Sequence, residues 1–100
     1  MSFTVITRFP ADPATFQQYA ATNREQMARI ADEAKRSGCL SHFFTASDRD
    51  IVAVDEWETV EQCEHFFANQ PEIPEVMRGI GATGAPETSF YQKLQTGGDF

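Results

Sequence analysis

Val52-Ala53-Val54-Asp55-Glu56-Trp57-Glu58-Thr59 opens with three small apolar residues, meets two acids and a tryptophan, and ends on a threonine. The apolar part predicts a strand over 51–57. Thr59-Val60-Glu61-Gln62 has the capping-box spacing, so a helix starts there and runs to about Asn69. An acid at the end of an apolar strand is costly to bury unless another group pairs with it. The rest of the chain therefore has to supply a partner for Asp55.

Upstream, Ser47-Asp48-Arg49-Asp50 is a short polar turn between 39–46 and 51–57, which predicts a β-hairpin. A symmetric turn centred on Asp48-Arg49 sets His42 opposite Asp55, Leu40 opposite Trp57 and Phe44 opposite Ala53, all on one face. In that register His42 and Asp55 form a dyad beside Trp57, with the carboxylate favouring the imidazolium or fixing the imidazole tautomer. The same pair would also serve as a plain ion pair closing the sheet.

Further out, Phe3 to Phe9 alternates as a strand, and Pro10-Ala11-Asp12-Pro13 supplies a turn, an N-cap acid and a proline for the first helical turn. The helix is expected to continue to about Ser37 and stop at Gly38. Pro71 and Pro74 interrupt the second helical region, with a further helical piece ending near Gly79, and 88–95 reads as the last strand. The order β-α-β-β-α-β predicts a ferredoxin-like α+β domain over 1–100: one four-stranded antiparallel sheet with its helices on one face. The other face also carries apolar residues: Val52/Val54 lie opposite Ile51/Ala53, and Ile6 lies opposite Phe3/Val5/Phe9. A homodimer with the two sheets facing each other would cover them.

On a wheel of the long first helix, Asn23 falls among Phe16, Tyr19, Ala20, Met27, Ile30, Ala31 and Ala34. It is expected either to bond backbone or water, or to point into a cavity between helix and sheet. In the second case Asn23, His42, Asp55 and Trp57 would line a pocket walled by Met27, Phe67 and Cys63, a form suited to a flat hydrophobic ligand.

Other patterns carry less. Gly79-Ile80-Gly81-Ala82-Thr83-Gly84 spells a dinucleotide fingerprint, but helical sequence precedes it and Pro86 and a strand follow, so the βαβ context is missing. Cys39, His42, Cys63 and His65 are zinc-ligand types, yet the first two point to opposite faces of a strand and the last two diverge on a helix. No metal or cofactor is expected. A net charge of −7 over 100 residues disfavours nucleic acid or an anionic membrane as partner. No apolar run is long enough to span a bilayer, the N-terminus lacks a signal-peptide pattern, and two cysteines make no disulfide framework, so a reduced, cytoplasmic protein is expected.

The Phe9-Pro10 lead into the first helix, Gly38-Cys39, the Asp55-Glu56-Trp57-Glu58-Thr59 run and Pro86-Glu87 before the last strand resemble the antibiotic biosynthesis monooxygenase (ABM) superfamily along nearly the whole chain. The resemblance implies a dimeric α/β-barrel with a ligand cavity between sheet and helices. Some members oxygenate aromatic polyketides or quinols without metal or flavin, through a substrate anion formed by a protein base; others open haem, and others have no known activity. Trp57 matches the tryptophan at the end of the third strand. Haem-degrading members have an asparagine where this chain has Thr7 or Arg8, and an axial histidine near the place of Val76 and Met77. Quinol-oxidising members often have a histidine at the place of Phe66.

The expectation is therefore a cofactor-independent monooxygenase of a hydrophobic aromatic or quinol. His42 would be the base oriented by Asp55, Asn23 would hold the substrate oxygen, and Trp57 would stack on the ring. The competing expectation is a non-catalytic binding or scaffold protein of the same fold.

Overall fold

The computed structural model describes residues 1–100. Its elements are β1 (Phe3–Pro10), α1 (Pro13–Thr22), α2 (Arg24–Arg36), β2 (Cys39–Ala46), β3 (Asp50–Trp57), α3 (Val60–Asn69), α4 (Glu72–Gly79) and β4 (Glu87–Gln92). The strands form one antiparallel sheet in the order β2-β3-β1-β4, as the ferredoxin-like reading requires.

Local chemistry sets most boundaries. Asp12 Oδ2 accepts from the Thr15 backbone N–H at 3.0 Å, and Pro13 occupies the first turn of α1. Thr59 and Gln62 form the reciprocal capping box of α3 at 3.1 Å in both directions. Ser47 ties the hairpin turn: its N–H donates to the Asp50 carbonyl at 3.0 Å, and its hydroxyl accepts from the Asp50 N–H at 3.0 Å.

Three expectations need correction. The long first helix is two helices. Asn23 leaves helical geometry (φ −118°, ψ 45°), and both its backbone N–H and its side-chain Nδ2 donate to the Tyr19 carbonyl at 2.9 Å. Asparagine competes for backbone in this way, and here it ends α1. The hairpin register is symmetric from Ala46–Ile51 to Ser41–Glu56, but a bulge at Leu40 then sets Cys39, not Leu40, opposite Trp57. Strand β4 stops at Gln92 because Gln92 pairs with Phe3, the first residue of β1, and no partner strand extends beyond.

On β3, Ile51, Ala53, Asp55 and Trp57 are buried toward the helices, in strict alternation with half-buried Asp50, Val52, Val54 and Glu56. Two apolar clusters hold the helices to that face. One gathers Phe9, Phe16, Ile51, Val76 and Ile80; the other gathers Val5, Cys39, Trp57, Cys63 and Phe66; Ile30 packs against both. Helices α2 and α4 are clasped where Arg29 Nη2 donates to Glu72 Oε1 at 2.7 Å. Only 15 of the 100 residues are buried: β4 and all of β2 after Cys39 are exposed, and a cavity lies between sheet and helices. The opposite face of the sheet keeps Ile6, Val52 and Val54 half-buried and leaves Phe43 56 % and Tyr91 55 % exposed.

Gly38 joins α2 to β2 with φ +117°, and a Cβ placed there would lie 2.5 Å from the Gln62 side chain. Gly38→Ala would therefore combine backbone strain with displacement of Gln62 from the α3 cap. We expect a loss of about 2 kcal/mol in urea unfolding. Gly81→Ala, at φ +69° with open space around the new methyl, should lose less.

Candidate functional site

The cavity between sheet and helices has a volume of about 570 Å³ and is lined mainly by apolar side chains. His42 lies in its wall. The ring nitrogen Nδ1 is 2.5 Å from Asp55 Oδ1, and the ring is in edge-to-face contact with Phe44 at 4.7 Å. Cross-strand pairing in the predicted register brings the two residues together.

Asp55 is 5 % exposed, and its second oxygen is also occupied: Oδ2 accepts from the Trp57 indole Nε1–H at 3.3 Å. The carboxylate is thus held between an imidazole and an indole. A carboxylate only accepts hydrogen bonds, so Nδ1 of His42 is the donor in this pair, and in the neutral ring Nε2 then carries the free lone pair. The adjacent acid, Glu56, faces the other side of the sheet, where the hydroxyls of Ser2 and Thr4 donate to it. Alternation along β3 separates the two acids, and each is satisfied on its own face.

The other anticipated site residues divide. Met27 and Phe67 line the cavity. Trp57 also stands in its wall but has 0 % exposure, covered by Phe66 (ring centroids 5.5 Å apart) and Phe67 (6.4 Å). Its indole N–H is directed at Asp55, and the more exposed aromatic rings of the wall are Phe67 and Phe44, at 40 % and 39 % exposure. Asn23 does not reach the cavity, because its amide is turned back onto the Tyr19 carbonyl. Cys63 is 1 % exposed in the core beneath Trp57 and lines no part of the cavity, whereas Phe66 does. On α3 the inward stripe passes through Cys63 and Phe66, and wheel geometry allows this as readily as the Cys63/Phe67 stripe. His65 is exposed, within reach of Asn69. No group of three or more His, Cys, Asp or Glu side chains is gathered in a way that could hold a metal ion.

Thr7, Lys35, Ser41 and Thr88 contribute polar lining beyond the anticipated residues. Thr7 carried a usable signal, since it interrupts the otherwise apolar inward series Phe3, Val5, Phe9 on β1.

Burial pushes the Cys39 thiol up to about 11 and the Cys63 thiol up to about 12, with the charge of Asp55 adding to both. These thiols are inert near neutral pH.

No protein-family model matches the chain, and no curated protein sequence matches it. Solved structures do. A putative antibiotic biosynthesis monooxygenase from Bordetella bronchiseptica superposes with a TM-score of 0.69 at 19 % identity, covering 94 % of this chain and 98 % of that one. SnoaB, a cofactor-independent oxygenase from Streptomyces nogalater, gives 0.65 at 20 % identity over 98 % of both chains. A monooxygenase from the gene ActVA-Orf6 of Streptomyces coelicolor, solved in complex with nanaomycin D, gives 0.65 at 22 % identity over 95 % of this chain and 89 % of that one. At these identities the likeness is one of fold: this chain shares the α+β fold of these three proteins.

Two outcomes follow from the site. Asp55→Ala would leave the buried indole N–H of Trp57 without a partner and free His42 from its anchor. A loss of about 3 kcal/mol is expected in chemical unfolding. The thiols set an alkaline limit. Unfolded cysteine ionises near 9, below the folded values of about 11 and 12. Their contribution is therefore complete below about pH 9 and lost as pH rises through 11 to 12. A Cys39→Ala/Cys63→Ala variant should show a flatter decline of stability above pH 9 than the wild type in urea titrations.

Proposed function

We propose that this protein is a cofactor-independent monooxygenase of a hydrophobic aromatic or quinol substrate, with His42 as its general base. One observation carries the reading: the His42–Asp55 pair stands in the wall of an apolar cavity large enough for a fused-ring ligand. Two proteins of the same fold, SnoaB and the ActVA-Orf6 monooxygenase, are oxygenases, and the second was solved with nanaomycin D.

The chemistry starts with a phenolic O–H against Nε2 of His42. Its proton moves to Nε2 while Asp55, bonded at Nδ1, stabilises the imidazolium that forms. The phenolate passes one electron from its ring to dioxygen, and the resulting superoxide and ring radical combine to form a C–O bond. His42 returns the proton to the outer peroxide oxygen. Loss of the ring C–H proton to a base then breaks the O–O bond and releases hydroxide, which takes that proton as water. A phenol with an open para carbon and one dioxygen thus yield a quinone and one water, all four electrons coming from the substrate. Phe44 and Phe67 offer the faces on which the ring rests, and the low polarity of the lining favours spreading of the phenolate charge into the ring. Asp55 and Trp57 are positioning residues.

Oxygen uptake with a panel of phenols and quinols tests this reading. Wild type, dialysed against chelator, should consume oxygen, and His42→Ala should be slower by about 10²-fold or more. Equal rates in the two proteins would overturn it. Calorimetric binding without any uptake would make the protein a non-catalytic binding module instead.

We also infer a homodimer formed through the outer face of the sheet. Ile6, Val52, Val54, Phe43 and Tyr91 make that face apolar, and exposed apolar patches of this kind mark interfaces. Sedimentation should give a dimer for the wild type and a monomer for Val54→Lys; a monomeric wild type would overturn the inference.

A further inference from the structure

The side of the cavity away from the dyad also bears polar groups. Cross-strand pairing on the helix-facing side of the sheet makes rows. One row runs Phe90, Val5, Asp55, His42; the next runs Thr88, Thr7, Ala53, Phe44. The Thr88–Thr7–Ala53 part of that second row consists of short side chains, and Ala31 and Ala34 of α2 also line the cavity. Short residues on both sides leave the space between sheet and helices unfilled.

Two of those short floor residues are hydroxyls where the neighbouring row has Phe90 and Val5. Thr7 Oγ1 and Thr88 Oγ1 are 3.5 Å apart, at the outer limit of a hydrogen bond, and neither has another side-chain partner. A hydroxyl offers one donor and two acceptor positions, so this pair retains most of its capacity. Threonines at these positions are unnecessary for packing, since valine has the same shape and suits a strand as well. Their register is reinforced from the other face, where Arg8 reaches Glu87 of β4 at 3.2 Å and Asp50 of β3 at 3.4 Å.

We propose that Thr7 and Thr88 form a second polar anchor in the cavity, which selects fused-ring arenes with oxygen substituents at both ends over those with one. The inference rests on the reading of the cavity as an aromatic-ligand site and adds the far contact. His42 stands on β2 and Thr7 two strands away on β1, a separation of about 10 Å at ordinary strand spacing. A single ring does not bridge that distance. A linear two- or three-ring system does, lying over Ala53 with one oxygen at His42 and the other at the threonine pair.

The test is calorimetric titration with 2-hydroxyanthraquinone and 2,6-dihydroxyanthraquinone. Both are already oxidised, so binding is read apart from turnover. Wild type should bind the dihydroxy compound about tenfold more tightly, the contribution of one added hydrogen bond. Thr7→Val/Thr88→Val should bind both compounds alike, at the affinity wild type shows for the monohydroxy one. Thr7→Ser, which keeps the hydroxyl, should retain the preference. Equal affinities in wild type, or a preference that survives in the double valine variant, would overturn the anchor while leaving the proposed base chemistry untouched. Failure of wild type to bind either compound would overturn the aromatic-site reading and the anchor together. A preference that holds in a protein without oxygen uptake would support the anchor and remove only the catalysis.

Discussion

A carboxylate buried against the helices organises this molecule. Taking Asp55 out of water costs several kcal/mol unless its oxygens are hydrogen-bonded, and charge-assisted bonds are the strongest available. Two side chains meet that demand from different directions: His42 across the hairpin at Oδ1, and Trp57 two residues along the same strand at Oδ2. Each bond restricts something larger. The imidazole contact is compatible with only one hairpin register, because a slip by one residue would put the ring on the other face. The indole contact turns the Trp57 ring inward, where Val5, Cys39, Cys63 and Phe66 close around it. The bulge at Leu40 belongs to the same arrangement, since it brings Cys39, a small residue, opposite the large indole.

The same face explains why the fold has so little solid core. One apolar cluster closes each part of the helix–sheet interface, and short residues such as Thr7, Ala31, Ala34 and Ala53 line the space left open. An unfilled cavity lowers stability relative to a packed interior. Well-ordered surroundings compensate: capped helices, a tied hairpin turn and a clasp between α2 and α4 hold the walls without a large core. The result is a braced cavity with the His42–Asp55 pair at one side. His42 is also the accessible member of its pair, at 35 % exposure against 5 % for Asp55. In that arrangement an outer group can meet a ligand while the inner one stays fixed.

Much of the architecture was legible in the chain because its signals are local. A capping box, an N-cap acid followed by proline, a glycine at a helix end and a polar four-residue turn each act within a few residues. The symmetric turn placed Ala53, Asp55 and Trp57 on one face of the hairpin and led to the His42–Asp55 pair. The errors were of another kind. Asn23 lies on the apolar stripe of an ideal helix, but the real helix ends there because the asparagine bonds the Tyr19 carbonyl. Leu40 was displaced by a bulge that no residue near it announces. Trp57 looked like a stacking surface and is instead covered, since Phe66 turns inward beside Cys63.

By itself, then, the sequence determined the order of elements, their caps, the faces of the strands and the partner of the buried acid. These follow from short-range hydrogen bonding and from the fixed period of two along a strand. Only the tertiary structure decided which of those inward-facing residues meet open space. That depends on which long side chains fill the gap between sheet and helices and which short ones leave it empty. Phe66 and Phe67 thus cover Trp57, and Thr7 and Thr88 are left on the cavity lining, while Asn23 is kept out of it by its bond to the Tyr19 carbonyl.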